Sequence, residues 1–242
     1  MATPPTVSEH GLPAGPQRIE PALPADAFRS DPFTVAHRLL GAQLNSLVDG
    51  AYVAGRIIEL EVYAGGTDRA AHSYRWRRTA RTEIQFAPGG VAYLFLVYGL
   101  HWQFNVVTSP EEICDVILIR ALEPLVGREV MRQRRGVDGR RTRDTSDRAL
   151  TVGPGRLCSA LGLDRRSYGA KLYRTPSQFS VQAPNPSAFA PGPEPAVWIS
   201  PARPLVPPSQ VAATPRVGID YAQDYASRPW RLTIKGHPLL RR

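Results

Sequence analysis

The chain has 242 residues, 43% of them hydrophobic, enough to bury a substantial core, and no run of eighteen apolar residues that could cross a membrane as a helix. Its two cysteines, Cys114 and Cys158, lack C-x-x-C spacing and the start has no apolar signal region, so a disulfide framework and a zinc site are not indicated and a reducing cytosol is expected. The formal net charge of +9 is nearly all arginine, with Lys171 and Lys235 the only lysines; this suggests an anionic polymer as partner, against the plainer reading of codon bias, which also raises Arg, Ala, Gly and Pro.

Residues 1–30 are rich in Pro and Ala without hydrophobic periodicity and are expected to form a flexible N-terminal arm. Residues 31–41 predict a helix, with Asp31 as N-cap, Pro32 in the first turn and Gly41 closing it. Residues 44–49 and 51–63 predict a strand pair around an Asp49-Gly50 turn. The second strand places Ile58, Leu60 and Val62 on one face and Ile57, Glu59, Glu61 and Tyr63 on the other. Two carboxylates about 6–8 Å apart in mid-strand, where Glu has poor propensity, mark either a solvated face or a site. After a turn at 64–68, Asp68 is expected to cap a short helical segment containing Ala70, Ala71 and His72. Arg75, Arg77, Arg78 and Arg81, interleaved with Tyr74 and Trp76, form either a phosphate-contacting loop or a solvated basic one.

Residues 91–98 predict an apolar strand that turns at Gly99 and runs back through 102–108. The hairpin tip carries Tyr98, Leu100 and His101, bulky residues that fit either a wedge between base pairs or a tip folded onto the core. Residues 115–122 predict a strand, with Arg120 at its apolar end in need of an anionic partner. Pro124 is expected to open a helix with Val126, Val130 and Met131 inward, ending at Arg132–Gly136, before a charged loop over 136–149. Gly153–Gly162 predicts a glycine-rich turn opening a short helix; it lacks P-loop spacing but could offer N–H groups, and Arg156, to a phosphate. The proline-dense stretch 174–210 reads as an irregular loop with a strand at 196–199, followed by a site-facing loop at 215–219 and a closing strand at 230–236. There are no internal repeats, and one domain is the simplest reading.

Taken in order, the segments Ala36–Gly41, Gly55–Tyr63, Asp68–Ser73, Pro88-Gly89, Val97–His101 with Asn105–Val107, Ile119–Pro124, Gly153–Cys158 and Arg216–Gly218 resemble the alkyladenine (3-methyladenine, or methylpurine) DNA glycosylase family. The resemblance implies a single mixed α/β (α+β) domain over 31–242, with a curved antiparallel sheet, surrounding helices and a protruding DNA-intercalating β-hairpin. It implies catalytic roles for Glu61, the general base, and Arg120, which helps hold the attacking water together with the Val217 backbone carbonyl. Tyr63, His72 and Phe95 match the walls of a base pocket, Asn105 a residue that crowds the 2-amino group of guanine, and Tyr98 the side chain that fills the gap in the duplex, with Leu100 and His101 beside it. Arg75, Arg77, Arg78, Arg81 and Arg156 are then expected on the DNA backbone. No metal and no cofactor are implied; the partner is double-stranded DNA containing damaged purines, with no membrane, a monomeric chain, and a cytoplasmic, nucleoid-associated location in a bacterium or a nuclear one in a eukaryote. Three features depart from the family's usual pattern: Phe95 in place of Tyr, the run Thr79-Ala80-Arg81-Thr82 followed by Gln85-Phe86, and a long proline-rich stretch near 175–195.

The residues support that chemistry in their own terms. A carboxylate can activate water and stabilise an oxocarbenium-like sugar. A target buried in the duplex must be extruded, and a wedge and stacking surfaces offset that cost. With both lysines outside the site motifs, no Schiff-base amine is at hand, so a monofunctional enzyme is expected. A non-catalytic damaged-DNA-binding domain is the alternative, and a metal hydrolase built on Glu59 and Glu61 lacks partner ligands.

Overall fold

Strand β2 (Ala51–Tyr63) is the spine of the fold. One edge pairs antiparallel with β5 (Val116–Val126). The other pairs first with β1 (Gln43–Val48) and then, beyond the end of β1, with β8 (Arg231–Ile234). In this computed structural model, which describes residues 20–137, 146–176 and 195–241, the sheet is curled and antiparallel throughout. Its order is β3-β4-β5-β2-β1-β6, with β3 at Ala92–Val97, β4 at His101–Val107 and β6 at Ala196–Ser200. β7 (Val211–Thr214) attaches through β8.

Local chemistry explains the elements. Asp49 (φ 51°) and Gly50 (φ 73°) both take left-handed φ, as the two central positions of a type I′ hairpin turn require. Helix α1 (Pro32–Leu39) starts where expected: the Asp31 carboxylate accepts from Phe33 N–H at 3.1 Å and Thr34 N–H at 3.0 Å. Such a cap contributes about 1 kcal/mol. Val35, Ala36 and Leu39 are fully buried in the core that includes Ile57, Ile58 and Leu60 of β2. Gly41, at φ 86°, lets the chain leave the helix. Helices α2 (Arg128–Arg135), α3 (Asp147–Thr151) and α4 (Pro154–Leu161) pack against one another, and α4 lies on β4 and β5 through Leu157, Cys158 and Leu161. Both cysteines are free and buried.

Three local expectations are corrected. Pro124 does not open a helix; β5 runs on to Val126, and α2 begins only after Gly127 at φ 75°. Pro124 lies opposite Gly55, beside a register shift, where a missing N–H is tolerated in the ladder. Asp68 does receive the Ala70 N–H at 3.0 Å, but residues 69–73 are turns rather than helix, between short 3-10 turns at Gly65–Thr67 and Tyr74–Trp76. Residues 20–30, expected within the arm, dock on the body: Phe28 is fully buried and its carbonyl accepts from Ser109 N–H at 3.0 Å, while Leu23 N–H donates to Ile199 O at 2.7 Å. The other residues expected in the arm, 1–19, lie outside the described residues, as do 138–145 of the charged loop and 177–194 of the proline-rich stretch.

Candidate active site

Besides the shift beside Gly55, the ladder between β2 and β5 slips twice more, between Ile57 and Glu59 and between Glu59 and Leu60. The register leaves Ile58 on β2 and Arg120 on β5 without opposite numbers, so each strand carries a bulge and the two offset each other. The Arg120 carbonyl turns instead to Gly153 N–H, 2.9 Å away. A bulge re-aims its side chain, and the Arg120 guanidinium reaches back across the sheet to both carboxylates, Nε to Glu59 Oε1 at 3.2 Å and Nη1 to Glu61 Oε2 at 3.3 Å. Glu59 also accepts from Arg231 at 3.2 Å, so it is a structural counter-charge held between two arginines.

Glu61 is different. It is wholly buried, and it accepts from three groups: Tyr63 O–H at 2.9 Å, Arg120, and the Val217 N–H at 2.8 Å. Burial pushes its pKa up, and Arg120, the Val217 N–H and Tyr63 oppose that rise. The result is a carboxylate more basic than usual, held in one orientation. Tyr63, Arg120 and Val217 all line a cavity of about 330 Å³, near the lower end of small-molecule sites, which run roughly 300–1,000 Å³. Glu61 therefore sits one layer behind the cavity wall, with its three partners between it and the space. The contact found at Val217 is made by its N–H to the carboxylate, where the family pattern suggested a carbonyl acting on water.

The cavity walls are aromatic. His72 meets Phe95 edge-on, ring centroids 4.6 Å apart, and its Nδ1 lies 2.9 Å from the Tyr93 hydroxyl. Arg81 donates to His72 Nε2 at 3.1 Å, which places the remaining ring proton on Nδ1. Although part of His72 is open at the cavity mouth, the packing around its ring, followed by the Arg81 charge, lowers its pKa to about 4. It is a neutral wall at physiological pH. Asn105 is buried in the same cavity, its amide donating to the Tyr93 carbonyl at 3.2 Å.

The loop that carries Val217 is fixed from beneath. Arg216 and Asp68 are both fully buried at their side chains and form a two-point pair at 2.5 and 2.9 Å. Arg216 also donates to the Val62 carbonyl at 2.9 Å and lies 4.5 Å from the Tyr63 ring centroid. A bidentate fork of this kind sets orientation as well as charge balance. Sequence reasoning gave no individual role to Asp68 or Arg216 at the site, placed Tyr93 only in a strand and named Gln85 only in a run that departs from the family's pattern. Asp68 carried a detectable signal as a turn-capping residue; the partner 148 positions away carried none.

Outside the pocket, the β3–β4 hairpin stands clear of the body. Tyr98 is 91% exposed and Leu100 76%, and His101 is exposed beside the start of α4. Tyr98 has φ 52°, a left-handed conformation that costs a bulky side chain energy, so this tip is both strained and solvated. Of the expected backbone-contacting arginines, Arg75, Arg77 and Arg156 are exposed and make no ion pair among the described residues. Arg78 is held by Glu83 and Glu112 and stacks over Phe86 at 4.2 Å, and Arg81 turns to His72.

A buried carboxylate beside an aromatic-walled cavity, with the strained aromatic tip of a hairpin on its lining, makes a site with the shape and surfaces to hold a flat, π-rich group. The comparisons name the family. Residues 26–238 match the methylpurine-DNA glycosylase family. Relatives named "Putative 3-methyladenine DNA glycosylase" are 36% identical over 217 residues in Bacillus cereus (strain G9842), covering 90% of this chain and 97% of that protein. One in Chlamydia pneumoniae is 37% identical over 204 residues, covering 84% of this chain and 90% of that protein. The chain belongs to the methylpurine-DNA glycosylase family; it is a DNA glycosylase, with DNA as substrate.

Proposed function

We propose that the chain extrudes a damaged purine, such as the 3-methyladenine for which its relatives are named, into the Tyr63–His72–Phe95 cavity and hydrolyses its N-glycosidic bond with water activated by Glu61. The observation that carries this reading is Glu61 itself: wholly buried, raised in pKa, and tied by three hydrogen bonds to groups that line the cavity. A water entering beside Arg120 and Val217 gives its proton to Glu61 as its oxygen bonds to C1′. The C1′–N bond breaks with its electron pair going to the base. A purine made cationic by ring alkylation then leaves neutral, and an abasic sugar remains. The Glu61 charge favours the oxocarbenium-like sugar along the way, and the aromatic walls favour a cationic base. Tyr98 fills the vacated stack from the minor groove. Neither lysine lines the cavity, and Lys235 is engaged with the Ser209 carbonyl at 2.8 Å, in keeping with simple hydrolysis without a Schiff base.

The test is base release from alkylated duplex DNA. Glu61→Gln is expected to lose about 10²–10⁴-fold in release while still binding DNA. A Glu61→Gln variant as active as wild type, or a wild type that binds and never releases a base, would overturn the reading.

A further inference from the structure

Gln85 stands apart among the buried polar groups. It is 1% exposed, it lines the cavity, and neither its Oε1 nor its Nε2 has a hydrogen-bond partner. Its amide lies near the Tyr93 hydroxyl without completing a bond to it. Buried side-chain amides are rarely left open at both atoms, and leaving them so is costly. The backbone that carries this one is held firmly. Gln85 sits in the 3-10 turn Glu83–Phe86, its own N–H bonds the Thr82 carbonyl at 2.9 Å, and the Phe86 carbonyl accepts from Glu112 N–H at 2.9 Å. Thr82 in turn donates its hydroxyl to the Arg77 carbonyl at 2.8 Å. The amide is thus a preorganised donor and acceptor side by side in a cavity whose lining also includes aromatic walls and the polar side chains of Gln103, Asn105 and Arg120.

We infer that Gln85 is a specificity-determining residue that reads one edge of the bound base, Oε1 accepting from an exocyclic N–H and Nε2 donating to the adjacent ring nitrogen. That pattern is the N6 and N7 edge of adenine. 7-Methylguanine offers no match on the same edge, because its N7 is methylated and position 6 is a carbonyl. Gln85 therefore biases the enzyme toward adenine-type lesions. The inference rests on the cavity being the base pocket proposed above.

The experiment uses the full chain with Gln85→Met and Gln85→Leu, and reads three quantities. These are release of 3-methyladenine and of 7-methylguanine from methylated duplex DNA, binding of the two free bases by calorimetry, and the melting temperature. The expected result is a fall of about tenfold, the scale of one or two hydrogen bonds, in the 3-methyladenine to 7-methylguanine ratio for both release and binding. The melting temperature should stay level or rise, since an unpaired buried amide is removed. Wild type supplies a further arm that needs no variant: it should bind 3-methyladenine about tenfold more tightly than 3-methylpurine, which lacks the exocyclic amine. Equal loss for both bases, an unchanged ratio, or equal binding of 3-methyladenine and 3-methylpurine overturns the inference. Gln85-dependent binding of free base without any base release would sink the hydrolase reading and leave this one standing; release indifferent to Gln85 would do the reverse.

Discussion

Glu61, one layer behind the cavity wall, and His72, on that wall, are shifted in opposite directions, and this sets the pH behaviour expected of the enzyme. A general base must be ionised to work. Burial raises Glu61 above the usual carboxylate value of 4.5, so base release should fall as pH drops through a pKa above 4.5. His72, already neutral above about 4, should add no limb between pH 5 and 8. A pH–rate profile of His72→Gln with the same acid limb as wild type is the expected outcome; loss of that limb would assign it to the histidine. The sign for stability is also set. A carboxylate whose folded pKa is raised makes folding less favourable once ionised, a cost present at neutral pH and relieved as pH falls through the folded pKa. The buried Asp68–Arg216 pair carries the opposite risk. Arg216→Ala leaves the buried Asp68 carboxyl with the Ala70 N–H but without its counter-charge, and denaturant unfolding should show a loss of about 3–5 kcal/mol.

At the scale of elements, the β3–β4 hairpin and the β2–β5 ladder show how irregularity is placed at the site. The hairpin tip contributes little to the core, since Tyr98 and Leu100 are almost free of it. Tyr98→Ala should therefore leave unfolding within about 0.5 kcal/mol of wild type. It should weaken capture of a lesion-containing duplex more than binding to undamaged DNA, in a titration run on both duplexes. Equal weakening on the two would argue against a wedge. In the ladder, paired bulges carry Arg120 to the two carboxylates. The alternation of apolar and polar residues in β2 was legible in the sequence, as were the Asp49-Gly50 turn and the capped α1. The bulges were not, because the pattern of β2 looks the same with or without a partner that slips by one residue. Pro124 is ambiguous in sequence for a related reason: a proline suits the first turn of a helix and a strand irregularity equally well, and only the neighbouring strand decides.

For the whole molecule, the net charge of +9 predicts binding to DNA that weakens with salt, through release of counterions from the phosphates. The structure divides the arginines unequally. Arg75→Ala and Arg77→Ala should each lower the slope of log K against log salt by about 1. Arg78→Ala should change it far less, because Glu83 and Glu112 already neutralise that guanidinium. Filter-binding or anisotropy titrations over a salt series would check this, and an equal effect of all three would contradict it.

The sequence by itself determined the elements and the chemical inventory. The strand with two mid-strand carboxylates, the hairpin with an aromatic tip, the arginine at the end of an apolar run and the motif order all follow from local periodicity, turn chemistry and spacing. The tertiary structure decided which of those groups act together. Only the fold shows which groups hold the two carboxylates, Arg120 and Arg231 at Glu59, and Tyr63, Arg120 and the Val217 N–H, 156 positions away, at Glu61. Only the fold leaves the Gln85 amide open, and only the fold closes Arg78. Burial and partnership arise from contacts between distant segments, and the field at a carboxylate depends on that enclosure rather than on its neighbours in the chain.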